Sequence, residues 1–208
     1  MLLPVDLPSL DAMRHRWAIT AAVYALDSSD TDIRVKADGP LWLYDDHGGS
    51  WATLIPLASG EAVLAGNDRD HSTLVELSEL LEGMPDWVGD ALRGHGPAGF
   101  GFVYAHVDGG WWRAPYGTND GFTRLRLPAA GDAELAEYIA GYVGDGFSAD
   151  YADEDDLTDY RDVDPTALAA AVEAGPGVTR EQLLALVRFP ELDLGRGLAA
   201  AARFGTKR

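Results

Sequence analysis

The sequence predicts an α+β protein: an antiparallel sheet with flanking helices and a helical C-terminal third. Three observations lead there. Short apolar runs bounded by Gly-containing turns fill residues 33–66 and 100–127, as antiparallel hairpins require. Apolar residues at three- and four-residue spacing occupy 10–26 and recur after 132, which is the helical period. The hydrophobic fraction of 47%, with six Trp, eight Tyr and six Phe, suffices for a buried core. A chain of 208 residues holds one large domain or two small ones. The expected division is a sheet domain over 1–128 and a helical region over 129–208 packed on it.

Taken in order, Ser9 caps a first helix on which Leu10, Met13, Trp17 and Ala21 form a stripe, with Arg14 and Arg16 off it. Ile33 and Val35 alternate with Arg34 and Lys36, and Gly39-Pro40 turns the chain. Strands are expected over 41–45, 51–57 and 61–66, joined by His47-Gly48-Gly49-Ser50 and Ser59-Gly60. Thr73 and Glu76 have capping-box spacing, so a helix is expected from Thr73, with Leu74, Leu77, Leu80, Leu81 and Met84 on its apolar face. Pro85 interrupts it and 87–92 adds a further turn. Strands are then expected over 100–106, 111–114 and 122–127. In the last, Thr123, Leu125 and Leu127 alternate with Arg124 and Arg126. Helices follow from Asp132, from Asp164-Pro165, from the capping box Thr179/Gln182, and over about 192–204. Leu43-Tyr44 to Trp51 and Val103-Tyr104 to Trp111 share a Tyr-to-Trp spacing of seven, either as repeated hairpin chemistry or as a duplication.

Charge limits function more sharply than any motif. The net charge is -18, and residues 145–164 carry nine carboxylates against Arg161 alone. Such a field repels nucleic acid and anionic lipid and attracts basic partners. The chain has no cysteine, so disulfides, thiolate metal sites and cysteine nucleophiles are excluded. That composition fits a reducing cytoplasm, and 14 Arg against 2 Lys fits the coding bias of a GC-rich bacterium. The opening residues lack the basic and apolar regions of a secretory signal, and no apolar run approaches the ~20 residues of a membrane span. No cofactor is expected.

Candidate chemistry is sparse. Asp45-Asp46-His47 and Asp68-Arg69-Asp70-His71 flank the first meander. Asp46, His47, Asp70 and His71 form the set an enzyme would use, with or without a divalent metal. The alternative is polar turn residues. His106 lies near Asp108 as a general base or, the plainer reading, as an exposed hairpin-end histidine. The sequence contains no Gly-x-Ser-x-Gly or Ser-x-x-Lys signature, and the Gly-rich 94–101 segment lacks the Lys and Ser/Thr of a phosphate loop. Strand alternation turns one of Trp111 and Trp112 inward and leaves Trp112 as a candidate anchor for a protein partner. In the acidic stretch Tyr151, Leu157 and Tyr160 interleave with the carboxylates, a rim-and-core composition. Asp150, Tyr151, Asp153, Glu154, Asp155, Asp156, Asp159 and Tyr160 are the expected partner-binding residues, alongside a solubility role for the same stretch. Asp153, Asp155 and Asp159 have part of a calcium-loop spacing but lack its central Gly and final Glu.

Residues 42–81 resemble the SUKH superfamily, which includes many bacterial toxin-immunity proteins. The carriers are Leu43-Tyr44-Asp45-Asp46-His47-Gly48-Gly49-Ser50-Trp51, Gly60-Glu61-Ala62-Val63-Leu64 and Asn67-Asp68-Arg69-Asp70-His71, followed by an amphipathic helix. The first helix lacks the family's Leu-Pro-x-x-Tyr entry, and the strands after 100 have no assigned place in it. The resemblance implies a cytoplasmic immunity protein that binds and blocks a toxin, and it transfers no catalytic residue. The leading expectation is therefore a non-enzymatic acidic protein that occludes a basic toxin or nuclease. An Asp/His enzyme and a scaffold component of a larger assembly are the alternatives.

Overall fold

A computed structural model of the chain describes residues 1–26, 34–93, 99–117, 119–125, 127, 131–141 and 163–205. By internal contacts these fall into two compact units, Met1–Leu10 with Ala37–Leu127, and Asp11–Lys36 with Pro128–Arg208. The chain passes between the units after Leu10, Lys36 and Leu127. The first helix, however, groups with the C-terminal helices rather than with the sheet.

The strands are β1 (Leu3–Val5), β2 (Val35–Asp38), β3 (Leu41–Asp45), β4 (Trp51–Pro56), β5 (Ala62–Asn67), β6 (Phe102–Val107) and β7 (Gly110–Arg113). They form one sheet in the order β1-β7-β6-β5-β4-β3-β2, with β1–β7, β7–β6, β6–β5, β5–β4 and β4–β3 paired antiparallel. The meander from β3 to β5 is where the alternation and turns place it. β1 was not expected: it has three residues, and Pro4 sits at its centre. Pro is tolerated there because β1 is an edge.

The register fixes both faces. Trp42, Leu54, Leu64, Tyr104 and Arg113 lie in one cross-strand row, and Ile55, Val63, Ala105 and Trp112 in a row on the other face. The second face carries α2 (Leu77–Leu80) and α3 (Asp86–Leu92). Leu80, Val88 and Leu92 are buried among Ile55, Val63, Val103 and Ala105, each worth about 1.5–3 kcal/mol of transfer free energy.

Two expected elements change. The helix does not begin at Thr73. Thr73 N–H donates to Asn119 O at 2.9 Å, Val75 pairs with Phe100 in an isolated bridge, and Glu76 precedes a helix of only four residues without a side-chain cap. Backbone partners across the fold outbid the local capping box, and Leu74 and Leu77 end exposed. The expected strand 122–127 is instead the short helix α4 (Phe122–Leu125). Asp120 Oδ1 accepts from Phe122 N–H at 3.2 Å and starts the turn, and Phe122 packs edge-on to Phe102 and Tyr104.

The Tyr–Trp similarity is hairpin chemistry. Asp45 pairs with Trp51 across a five-residue loop, whereas Val107 pairs with Gly110 across Asp108-Gly109. Equal sequence spacing therefore hides different registers.

The second unit is helical. α1 (Leu10–Ala25) carries the expected stripe, but every residue from Trp17 to Leu26 is buried, so only its first turns are amphipathic. Thr20 Oγ1 is satisfied by Arg16 O at 2.8 Å. α5 (Asp132–Gly141) buries Leu135 and Ile139, and Tyr24 meets Tyr138 edge to face. α6 (Pro165–Ala174) is capped by Asp164, and α7 (Arg180–Val187) by the full Thr179/Gln182 capping box. α8 (Leu194–Ala202) is capped by Asp193. The starts of α6 and α7 lie at the caps the sequence signals name, α5 begins at Asp132 itself, and α8 begins at Leu194, within the expected 192–204.

Candidate functional site

The Asp and His side chains around Asp46 and Asp70 gather at one end of the strands. Trp51, at the start of β4, pairs with Asp45 on one side and Asn67 on the other. The loops 46–50 and 68–72 therefore emerge together at that end. Arg69 joins them: its Nη1 donates to Gly48 O at 2.5 Å, and its backbone N–H donates to Ser50 Oγ at 3.2 Å.

Within each loop the carboxylates bind their own backbone. Asp46 Oδ1 accepts from Gly48 N–H at 2.7 Å and Ser50 N–H at 2.9 Å, and Asp45 Oδ1 from His47 N–H at 2.8 Å. Partial burial pushes the Asp46 carboxyl up, but the Gly48 and Ser50 donors outweigh it and hold it below the usual range. His47 is exposed at positive φ. Buried Asp68 accepts from Asp70 N–H at 3.0 Å and His71 N–H at 2.8 Å, and its Oδ1 lies 2.8 Å from His71 Nδ1. With two amides already donating to that oxygen, the imidazole nitrogen is a third donor. Asp70 pairs with its neighbour Arg69 instead, and that bond lowers its carboxyl pKa.

The expected set of Asp46, His47, Asp70 and His71 is thus brought to one end of the sheet but not to one point. Asp46 and Asp70 are turned to different partners, and His71 is oriented by Asp68. Among the described residues, no group of three or more His, Asp or Glu side chains is placed to hold a metal.

A polar network outside that set continues the site. Ser72 Oγ accepts from Asp68 N–H at 2.8 Å and donates to Asp120 O at 2.6 Å. Asp120 Oδ2 accepts from Tyr104 OH at 2.7 Å and from Tyr116 OH at 3.3 Å, with Arg113 Nη1 4.0 Å away. The Arg113 guanidinium lies over the Tyr116 ring, 4.7 Å from its centroid. Burial, then the Asp120 carboxylate, pushes both tyrosine hydroxyls above their usual pKa. Gly121 has φ +73, and a Cβ there would lie 2.4 Å from Ser72 Oγ, so this corner tolerates only glycine. Tyr104 and Asp120 are 16 residues apart with no spacing motif. The only sequence signal is the turn chemistry of Asn119-Asp120-Gly121.

The remaining candidates resolve differently. His106 is not an exposed hairpin-end histidine. It is 9% exposed, with Nδ1 3.2 Å from Gly60 O and its ring against Trp111, because it shares the inward row of Ala62 and Trp111. Trp111 is the buried one of the tryptophan pair and donates from Nε1 to Pro8 O at 2.8 Å. Trp112 is half-buried on the opposite face, between Ala105 and Pro4. Asp150, Tyr151, Asp153, Glu154, Asp155, Asp156, Asp159 and Tyr160 lie outside the described residues, as does His95. No helix among the described residues is long and apolar enough to cross a membrane.

In comparisons with protein-family models, curated proteins and solved structures, nothing matches this chain.

Proposed function

We propose that this chain is a non-enzymatic acidic binding protein, acting in the cytoplasm as an immunity or inhibitor protein that occludes a basic toxin or nuclease. The observation that carries the reading is the contrast between two groups of acids. At the sheet end, Asp45, Asp46 and Asp68 are engaged by loop amides and Asp120 by tyrosine hydroxyls and its own turn. Of the net charge of -18, a net -8 falls within the twenty residues 145–164, where nine carboxylates face Arg161 alone in the sequence. Acids held this way serve loop geometry, whereas a run of carboxylates this dense in sequence suits long-range attraction of a cationic partner. The resemblance of residues 42–81 to the SUKH superfamily supports the same assignment.

In this mechanism Asp150, Asp153, Glu154, Asp155, Asp156 and Asp159 steer a cationic surface inward, and Tyr151 and Tyr160 anchor it. The test is a stopped-flow and inhibition titration against any basic toxin or nuclease whose gene is found beside that of this chain. Stoichiometric loss of the toxin's activity is expected, with an association rate that falls steeply as salt rises. Reversing Asp153, Glu154, Asp155 and Asp156 to Lys should slow association and flatten that salt dependence. An unchanged on-rate rejects the mechanism.

A further inference from the structure

Resting on that reading of a basic partner, we propose that the outer face of α2 and α3 is a second docking surface, built for a cationic amphipathic segment of a protein partner. Sequence periodicity assigns Leu74, Leu77, Leu80 and Leu81 to one buried helix face. The extended conformation of 73–76 breaks that face. Leu80 stays fully buried, while Leu74 and Leu77 turn out to 58% and 37% exposure. Besides Met1 and Leu3, they are the exposed large apolar side chains among the described residues.

Glu76, Glu79, Glu82 and Asp86 lie in the same segment, all exposed, and no described cation pairs with any of the four. Further along the same segment a groove of about 480 Å³ is lined by Leu81, Met84, Pro85 and Gly89 with Asp86, Asp90 and Arg93, and Asp90 is paired to Arg93, which leaves Asp86 as its available carboxylate. Apolar centres ringed by carboxylates suit a partner that offers apolar side chains and Lys or Arg together. In the proposed complex an Arg or Lys of the partner would lay its stem on Met84 and Pro85 and set its head at Asp86. Charge decides between occupants: a second copy would bring its own -18 and the same glutamates, and an anionic ligand meets the same repulsion.

The experiment is an amide NMR titration of the full chain with a synthetic Leu/Lys amphipathic peptide, compared with an oligolysine of equal charge. The Leu/Lys peptide should bind about tenfold tighter, with shifts centred on residues 74–93. The variant L74S/L77S keeps the charge, changes only exposed positions, and should bring the Leu/Lys affinity down to that of oligolysine. Equal affinities in the wild type, shifts centred elsewhere, or an L74S/L77S variant that retains the difference would each overturn the proposal. The Lys reversal at 153–156 separates the two readings: it abolishes steering through the acidic stretch but leaves the Leu/Lys shifts at 74–93 intact.

Discussion

Asp120 links segments that are far apart in sequence. Its carboxylate takes hydroxyls from β6 and the segment after β7, its carbonyl takes Ser72, and its Oδ1 starts α4. Asp120→Ala removes the acceptor from Tyr104, a buried donor, and should cost about 1–3 kcal/mol in a urea titration. A double mutant with Tyr104→Phe should recover part of that loss, and full additivity would argue against the pairing. The same tyrosines give an alkaline signature. An unfolded tyrosine ionises near pH 10, while both folded hydroxyls hold their protons beyond it. Their contribution is complete below pH 10 and is lost as pH climbs above it. The urea midpoint should therefore fall above pH 10, less steeply in Tyr104→Phe/Tyr116→Phe; parallel profiles would contradict this. In β5, a Cβ on Gly66 would meet Trp51 O at 2.3 Å and the Phe102 ring at 2.6 Å. Gly66→Ala should destabilise by about 1–3 kcal/mol, read as a lower midpoint.

At the scale of elements, two identical local signals have opposite outcomes. Thr179 and Gln182 form a complete capping box at the start of α7. Thr73 and Glu76 have the same spacing and form none, because Thr73 N–H and the Val75 backbone bond to Asn119 and Phe100 instead. Thr179→Ala should cost about 0.5–2 kcal/mol. Glu76→Ala should stay within about 0.5 kcal/mol, since no cap is lost. Comparable losses at the two sites, measured by denaturation with circular dichroism, would mean that Glu76 does cap a helix.

For the whole molecule, self-repulsion is the dominant long-range force. A net charge of -18 on 208 residues opposes compaction. Raising salt from about 10 to 200 mM shortens the Debye length from roughly 30 Å to below 10 Å, so the thermal midpoint should rise with NaCl. A midpoint independent of salt would place the acids too far apart for their repulsion to affect folding.

The chain by itself determined the features whose causes lie within a few residues. These are the β3–β5 meander with its Gly turns, the β6–β7 hairpin, and the helices opened by Asp164-Pro165 and Thr179/Gln182. It also determined the charge that limits which partners are admissible. Tertiary structure alone decided the extended path of 73–76, the helix in place of a strand at Phe122, the burial of His106, and the meeting of Ser72, Tyr104 and Asp120. In each of these a hydrogen bond or ring contact arrives from a residue distant in sequence. Such partners outweigh propensities that differ by less than about 1 kcal/mol per residue, and no spacing along the chain encodes them.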